Sequence, residues 1–218
     1  TGEYMFSRFK ERKPLQTPSS EAWIELPSPL LDSQTSVEEA LSKRRSVREY
    51  RDAPLTLNEV AQLLWSAQGI TSPEGMRTAP SAGALYPLEV YLLAGNVDGL
   101  AAGVYHYHPH EHALSKVIEG DRRAALSEAA LGQEAIQDGA VVIVIAGVFE
   151  RTTRKYGERG IQYVHMEVGS VAQNIYLQAE SLGLGTVFIG AFYDDQVKSV
   201  VGLSHDEQPL CLMPVGRK

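Results

Sequence analysis

The stretch Ala140–Val148 reads AVVIVIAGV, nine residues without a polar side chain. It constrains the fold more than any other part of the chain. A membrane-spanning helix needs about 18 to 20 apolar residues, so this run is too short to cross a bilayer. Its β-branched content favours a strand, and a strand with no polar face is buried on both sides. No other stretch of the 218 residues is longer and as apolar.

Two helices announce themselves upstream. Ser36 with Glu39 and Thr56 with Glu59 both have the Ser/Thr-x-x-Glu spacing of a capping box. The first helix ends near Arg44, Arg45 and Ser46. The second carries Val60, Leu63, Leu64 and Ala67 at helical spacing and stops at Gly69. Leu88–Ala94 predicts a strand and residues 104–117, with Pro109 near the middle, a hairpin. Asp121 is placed to cap a helix over about 122–131. The longest helix is expected over about 163–182, where Val164, Val168, Val171, Ala172, Ile175, Ala179 and Leu182 form an apolar stripe ahead of Gly183. A strand through Val187–Ile189, a short helix over 197–201 and a last strand over 210–215 complete the count. Residues 1–35, interrupted by Pro14, Pro18, Pro27 and Pro29, read as an extended arm suited to wrapping a second subunit, followed by one domain over 36–218. The mixture suggests a three-layer sandwich, α+β or α/β, whose strand order is not legible locally.

A formal net charge of −7 argues against a surface built for nucleic acid or an anionic membrane, so an anionic ligand has to meet a local basic cluster. The lone Cys211 excludes an intrachain disulfide and suits a reducing compartment, and a cytoplasmic location is expected. Cys211 lies between Leu210 and Leu212, where a buried, inert thiol is expected.

Three segments combine residue types that can bind a phosphorylated, planar group. Arg44, Arg45, Ser46 and Arg48 put three guanidinium forks and a hydroxyl within five residues. A solvated basic helix end accounts for the same spacing. Pro80, Ser81, Ala82, Gly83 and Ala84 are small enough for backbone to approach a flat ring, although a tight loop needs the same residues. Ile189, Gly190 and Ala191 end an apolar strand in small residues, where a backbone N–H can face a ligand without a side chain in the way. A strand with a bulge reads the same.

These segments resemble the nitroreductase family, in detail its SagB/ThcOx-type dehydrogenase branch. The resemblance spans about Ser36–Arg217 and rests on RRSVREY (44–50), TAPSAGALYPL (78–88), GVYHYHPHEHAL (103–114), KYGERG (155–160), Gln173–Tyr176 followed by 183–192, and PVGR (214–217). It implies an α+β fold, a three-layer α/β/α sandwich of the FMN-dependent nitroreductase type. It also implies a homodimer with FMN at the interface, and hydride passing from NAD(P)H to a small-molecule acceptor. In that pattern Arg44, Ser46 and Arg48 hold the phosphate and the N1 and O2 side of the ring. Gly190 and Ala191 lie near N5, and Gly216 and Arg217 lie at a basic position near the phosphate. Many relatives carry Asn and Gln in the segment matching Ala84 and Tyr86, so those amide contacts are missing here.

Lys155 and Tyr156 match a pair thought to assist proton removal in the azoline-oxidising members of the branch, which makes an azoline oxidase acting on a heterocycle-containing peptide the alternative activity. Their charged neighbours equally suit a solvated loop. A flavin-binding module without turnover is a further alternative. His106, His108, His110 and His112 alternate as on one strand face, but Pro109 breaks that face and no metal site is expected.

Overall fold

The computed structural model of the chain describes residues 23–218. Among them the strands are β1 (Ile24–Glu25), β2 (Leu55–Thr56), β3 (Leu88–Ala94), β4 (Val97–Asp98), β5 (Gly103–His108), β6 (Ala113–Glu119), β7 (Val141–Gly147), β8 (Leu184–Thr186) and β9 (Gln208–Arg217). The helices are α1 (Val37–Lys43), α2 (Leu57–Gln68), α3 (Arg123–Ala129), α4 (Glu134–Asp138), α5 (Phe149–Tyr156), α6 (Arg159–Ser181) and α7 (Asp194–Val201).

Seven strands form one sheet in the order β1-β6-β5-β3-β7-β9-β8, antiparallel at every pairing. The apolar run expected to be buried is the inner strand β7, fully buried along its length between β3 and β9. Its side chains alternate between two cores, as the period of a strand requires. Val141, Ile143 and Ile145 pack with Val60, Leu64, Val168 and Ile175 of α2 and α6, whereas Val142 and Val144 pack with Leu126, Ile136 and Val197 of α3, α4 and α7. Burial of each such side chain contributes roughly 1.5–3 kcal/mol. The result is the three-layer α/β/α sandwich, and antiparallel pairing makes it α+β.

The local signals operate as their chemistry predicts, with instructive exceptions. Thr56 and Glu59 close both arms of the capping box of α2. Ser36 caps α1 by accepting from the Glu39 N–H at 3.1 Å, while the Glu39 carboxylate turns to Lys43 instead of closing the box. Asp121 does not occupy the N-cap of α3: Arg122 does, and the Asp121 carboxylate accepts from the Arg123 N–H from one residue further out. Helix α6 starts at Arg159, four residues before the expected start at 163. Helix α5 covers the charged stretch that also suited a loop. Gly160 explains the packing of these two helices, because a Cβ there would fall 2.9 Å from the Thr153 Cα.

The strand expected at Val187–Ile189 is displaced to Leu184–Thr186, and of the later residues only Ile189 rejoins the sheet, opposite Leu212. The Phe188 N–H is taken by a side chain, the Tyr176 hydroxyl, at 2.7 Å, which removes it from any ladder. Of the expected N-terminal arm, residues 1–22 lie outside the described residues. Ile24 and Glu25 pair with β6, and Gln62 of α2 binds both the N–H and the carbonyl of Leu30.

Candidate functional site

The basic segment leaves α1 at Arg44 and continues as a strap along the sheet edge. The Val47 N–H donates to the Thr186 carbonyl at 2.9 Å and the Arg51 N–H to the Arg217 carbonyl at 3.0 Å. Two glycines let it lie this close. A Cβ on Gly185 would fall 2.7 Å from Val47, and one on Gly216 would fall 2.7 Å from the Tyr50 ring. Gly216 is therefore buried under the strap.

The cations behave differently from one another. The Arg44 guanidinium lies 5.0 Å from the centre of the Tyr176 ring. Arg45 is exposed and donates to the carbonyls of Ser42 and Arg44, so it neutralises the end of α1 as a helix-terminal cation does. Arg48 is exposed on the strap. Arg217 has its fork on Glu59, at 2.6 and 2.8 Å, and also donates to the Pro54 carbonyl. Burial alone pushes the Glu59 carboxyl up, but hydrogen bonds from Arg217 and from the Thr56 backbone and hydroxyl together hold it below its ordinary value.

Tyr176, on α6, joins the strap to the turn after β8. Its hydroxyl lies 3.0 Å from the Ser46 hydroxyl and accepts from the Phe188 N–H. Beyond Phe188, Ile189 is paired both ways with Leu212, and the Ala191 carbonyl accepts from Gln133 at 3.0 Å. Gly190 and Ala191 are exposed, and their N–H groups take no backbone partner among the described residues. Arg44, Ser46 and the Phe188 N–H, about 140 positions further along the chain, are thus gathered around one tyrosine, and Gly190 and Ala191 follow Phe188 by two and three residues. Sequence reasoning quoted Tyr176 only as the end of the Gln173–Tyr176 motif and gave it no role. Its signal was a hydroxyl-bearing residue at the margin of the α6 stripe.

Pro80 leads into a second site. Residues Ala82–Ala84 make one 3-10 turn, with Gly83, Ala84 and Tyr86 at φ of 65°, 52° and 46°. The left-handed region costs a non-glycine residue roughly 1–2 kcal/mol, so this loop is strained at Ala84 and Tyr86. The Ser81 hydroxyl accepts from the Tyr86 N–H at 3.0 Å. Lys155 and Tyr156 at the end of α5 stand over the turn: a Cβ on Gly83 would fall 2.7 Å from the Tyr156 hydroxyl and 2.8 Å from the Lys155 ammonium. Below the loop, Arg77 donates to Gln68 at 2.8 Å, and Gln68 reaches the buried Glu167 at 3.5 Å. Burial pushes the Glu167 carboxyl up, against the opposing effects of Ser81, Gln68 and Arg77.

These are two half-sites on opposite margins of one helix. Glu167 and Asn174, which donates to the Thr78 carbonyl at 3.2 Å, face the loop, and Tyr176 faces the strap. At about 100° per residue, Asn174 and Tyr176 point roughly 160° apart, with the buried stripe between them. The His106 and His108 rings lie edge to face at 4.6 Å, but the four histidines do not share a common ligand position. His106 binds Glu89, His108 binds the Ser115 hydroxyl, His112 binds Tyr107 and the Pro27 carbonyl, and His110 is exposed. Among the described residues no group of three or more metal-binding side chains is present. No helix among them is long and apolar enough to cross a membrane.

FMN combines a phosphate, a polyhydroxylated chain and a flat ring that becomes anionic on reduction. The guanidinium and hydroxyl groups on the strap, the unengaged N–H groups of the turn and the loop of small side chains supply the matching donors and walls.

Residues 41–217 match the sequence profile of the Nitroreductase family. The chain is 50% identical over 185 residues to the nitroreductase-family protein MJ1384 of Methanocaldococcus jannaschii, covering 85% of this chain and 92% of that one. It is 32% identical over 155 residues to the microcin B17-processing protein McbC of Escherichia coli, covering 68% of this chain but only 57% of McbC. Among solved structures, a nitroreductase-family protein of Ralstonia eutropha superposes with a TM-score of 0.80 at 30% identity, over 92% of this chain and 91% of the other. A chain of the E. coli microcin synthetase McbBCD complex with truncated pro-MccB17 superposes with a TM-score of 0.69 at 26% identity, over 96% of this chain and 79% of that one.

Proposed function

As a member of the nitroreductase family this chain is an oxidoreductase of that class, and we propose that it binds FMN and passes hydride from NADH or NADPH to an electron-poor acceptor such as a nitroaromatic or a quinone. The observation that carries this reading is the convergence of the strap, at Arg44 and Ser46, and of the Phe188 N–H on Tyr176. Bound FMN would supply hydride acceptance and return at N5. Arg44 and Arg48, with the Ser46 hydroxyl, would hold the phosphate and the pyrimidine edge, where guanidinium forks match anionic oxygens, and Arg45 would join them by exchanging its bonds to the Ser42 and Arg44 carbonyls. Ile189 is pinned to Leu212, and from that fixed point the N–H groups of Gly190 and Ala191 would be offered to the ring. Gly216 keeps the strap seated, and Arg217 braces it through Glu59 rather than by a free guanidinium.

Pro80, Ser81, Ala82, Gly83 and Ala84 form the opposite wall, supplied by a second copy of the chain. Two observations support a homodimer. The two half-sites face away from each other across α6. On the same helix Gly169 and Met166 are exposed, and a Cβ on Gly169 would meet nothing within 4 Å, so its lack of a side chain serves no packing among the described residues. A mid-helix glycine costs about 1 kcal/mol relative to alanine, and close approach by a partner helix accounts for it.

A second activity has its own support. Lys155 and Tyr156 abut the Gly83 turn, and the chain is similar to McbC. In an azoline oxidase the pair would take the proton from one ring carbon while hydride leaves the adjacent ring carbon for the flavin, so that a double bond forms between them and the azole is aromatic.

The test begins with the absorption spectrum of the purified protein before and after incubation with FMN. A protein that stays colourless and takes up no flavin removes both readings. Anaerobic addition of NADH or NADPH should bleach the flavin, whereas a flavin that never bleaches identifies a binding module without turnover. Arg48→Ala should weaken flavin retention. Lys155→Ala and Tyr156→Phe then separate the activities, because loss of azoline oxidation with quinone reduction intact selects the peptide chemistry.

A further inference from the structure

Tyr86 is held at more points than any other residue of the strained loop. Its N–H donates to the Ser81 hydroxyl at 3.0 Å, and its carbonyl accepts from Arg151 Nη1 at 3.2 Å. Its hydroxyl accepts from the Arg77 N–H at 3.3 Å and lies 3.6 Å from the Met76 sulfur. The Arg77 guanidinium lies 4.4 Å from its ring centre, held there by its bond to Gln68. Arg151 is anchored in turn by an ion pair with Glu89, a carboxylate that also binds His106 on β5. A tyrosine at φ 46° persists only where its surroundings over-determine it.

We infer that Tyr86, gripped from either side by Arg77 and Arg151, is a positioning residue that locks the Ser81–Ala84 turn against the Lys155–Tyr156 pair. Arg151 connects the two parts physically, since it lies on α5, one helical turn before Lys155, and holds the loop at the Tyr86 carbonyl. Releasing the grip lets Tyr86 and Ala84 return to ordinary backbone conformations, and the turn then withdraws from Lys155 and Tyr156. The lock depends on the function proposed above only for its chemical consequence, a correctly placed proton acceptor.

The experiment is hydrogen–deuterium exchange of residues 82–86 in the protein as isolated, for wild type, Arg77→Met, Arg151→Met and the double variant. Each single variant should exchange this segment at least about tenfold faster while β7 is unchanged, with a larger effect in the double variant. Tyr86→Phe, which keeps the ring stack and both backbone contacts of Tyr86 but removes the acceptor of the Arg77 N–H, should exchange faster than wild type by less than either single arginine variant. In flavin-loaded enzyme, Arg151→Met should lower kcat for azoline oxidation several-fold with KM little changed, and Arg151→Lys should restore it only in part, because one ammonium cannot reproduce a two-armed contact. Unchanged exchange at 82–86 in the double variant overturns the lock, as does faster exchange with kcat unaltered. Should the double variant fail to accumulate, Tyr86→Ala supplies the same test. A chain that takes up no flavin would sink the proposed function while the exchange result still decides the lock.

Discussion

Replacing Tyr176 with Phe deletes a single oxygen at the point where strap, turn and helix meet. Tyr176 is 9% exposed, and its hydroxyl serves two partners of unequal consequence. Ser46 is exposed, so its hydroxyl returns to water at a cost close to zero. The Phe188 N–H, 2.7 Å from the lost oxygen, is left without an acceptor, and an unsatisfied donor of this kind costs roughly 1–3 kcal/mol. A net loss of about 2 kcal/mol translates, for a chain of this size, into a melting temperature lower by about 4–8 °C. Thermal unfolding followed by circular dichroism measures it, with Ser46→Ala as a control expected within about 0.5 kcal/mol of wild type. Titration with FMN adds a functional reading: a slackened strap and turn should weaken uptake about tenfold, which corresponds to roughly 1.4 kcal/mol. A melting shift below about 1 °C together with unaltered flavin affinity would show that Tyr176 does not join these segments, and the half-site built around it would fall with it.

Other substitutions test other parts of the framework. Gly216→Ala should lower stability by about 1–3 kcal/mol in a denaturant melt, because Tyr50 is tied to the Val47 and Pro214 carbonyls and cannot retreat from the added methyl. Arg217→Met should destabilise at pH 7, and the deficit should shrink with acidity. A carboxyl held low in the folded state contributes stability above its unfolded value of about 4.3, and that contribution disappears as pH falls through the folded value. Melts of both proteins at pH 7 and pH 3 check the sign, and a deficit that does not narrow at pH 3 would refute the assignment. Cys211 is fully buried and burial raises its thiol pKa strongly, so native protein should resist a thiol reagent until unfolded. Rapid labelling of native protein would contradict that environment.

Much of the framework was legible because its signals are local. The apolar run of β7, the two helix caps and the stripe of α6 each depend on residues within a few positions of one another, where periodicity and capping chemistry operate. The basic strap, the small-residue loop and the turn at Gly190 were legible as residue types. Which of them meet was not. Lys155 and Tyr156 sit in a segment whose charge suited a solvated loop, whereas in the structure it is helix α5, packed closely on α6 at Gly160. Glu167 and Tyr176 were hidden as single polar residues at the margins of an apolar stripe.

The sequence by itself determined the layers, the approximate position of most elements and the residue chemistry available for an anionic, planar ligand. Only the tertiary structure decided that Arg217 turns to Glu59, that Tyr176 binds both Ser46 and Phe188, and that Gly83 lies under Lys155 and Tyr156. The physical reason is range. Backbone propensity and side-chain period act over one or two turns, whereas these contacts join residues tens to more than a hundred positions apart. They depend on the order in which seven strands pair and on glycines that let distant backbones touch.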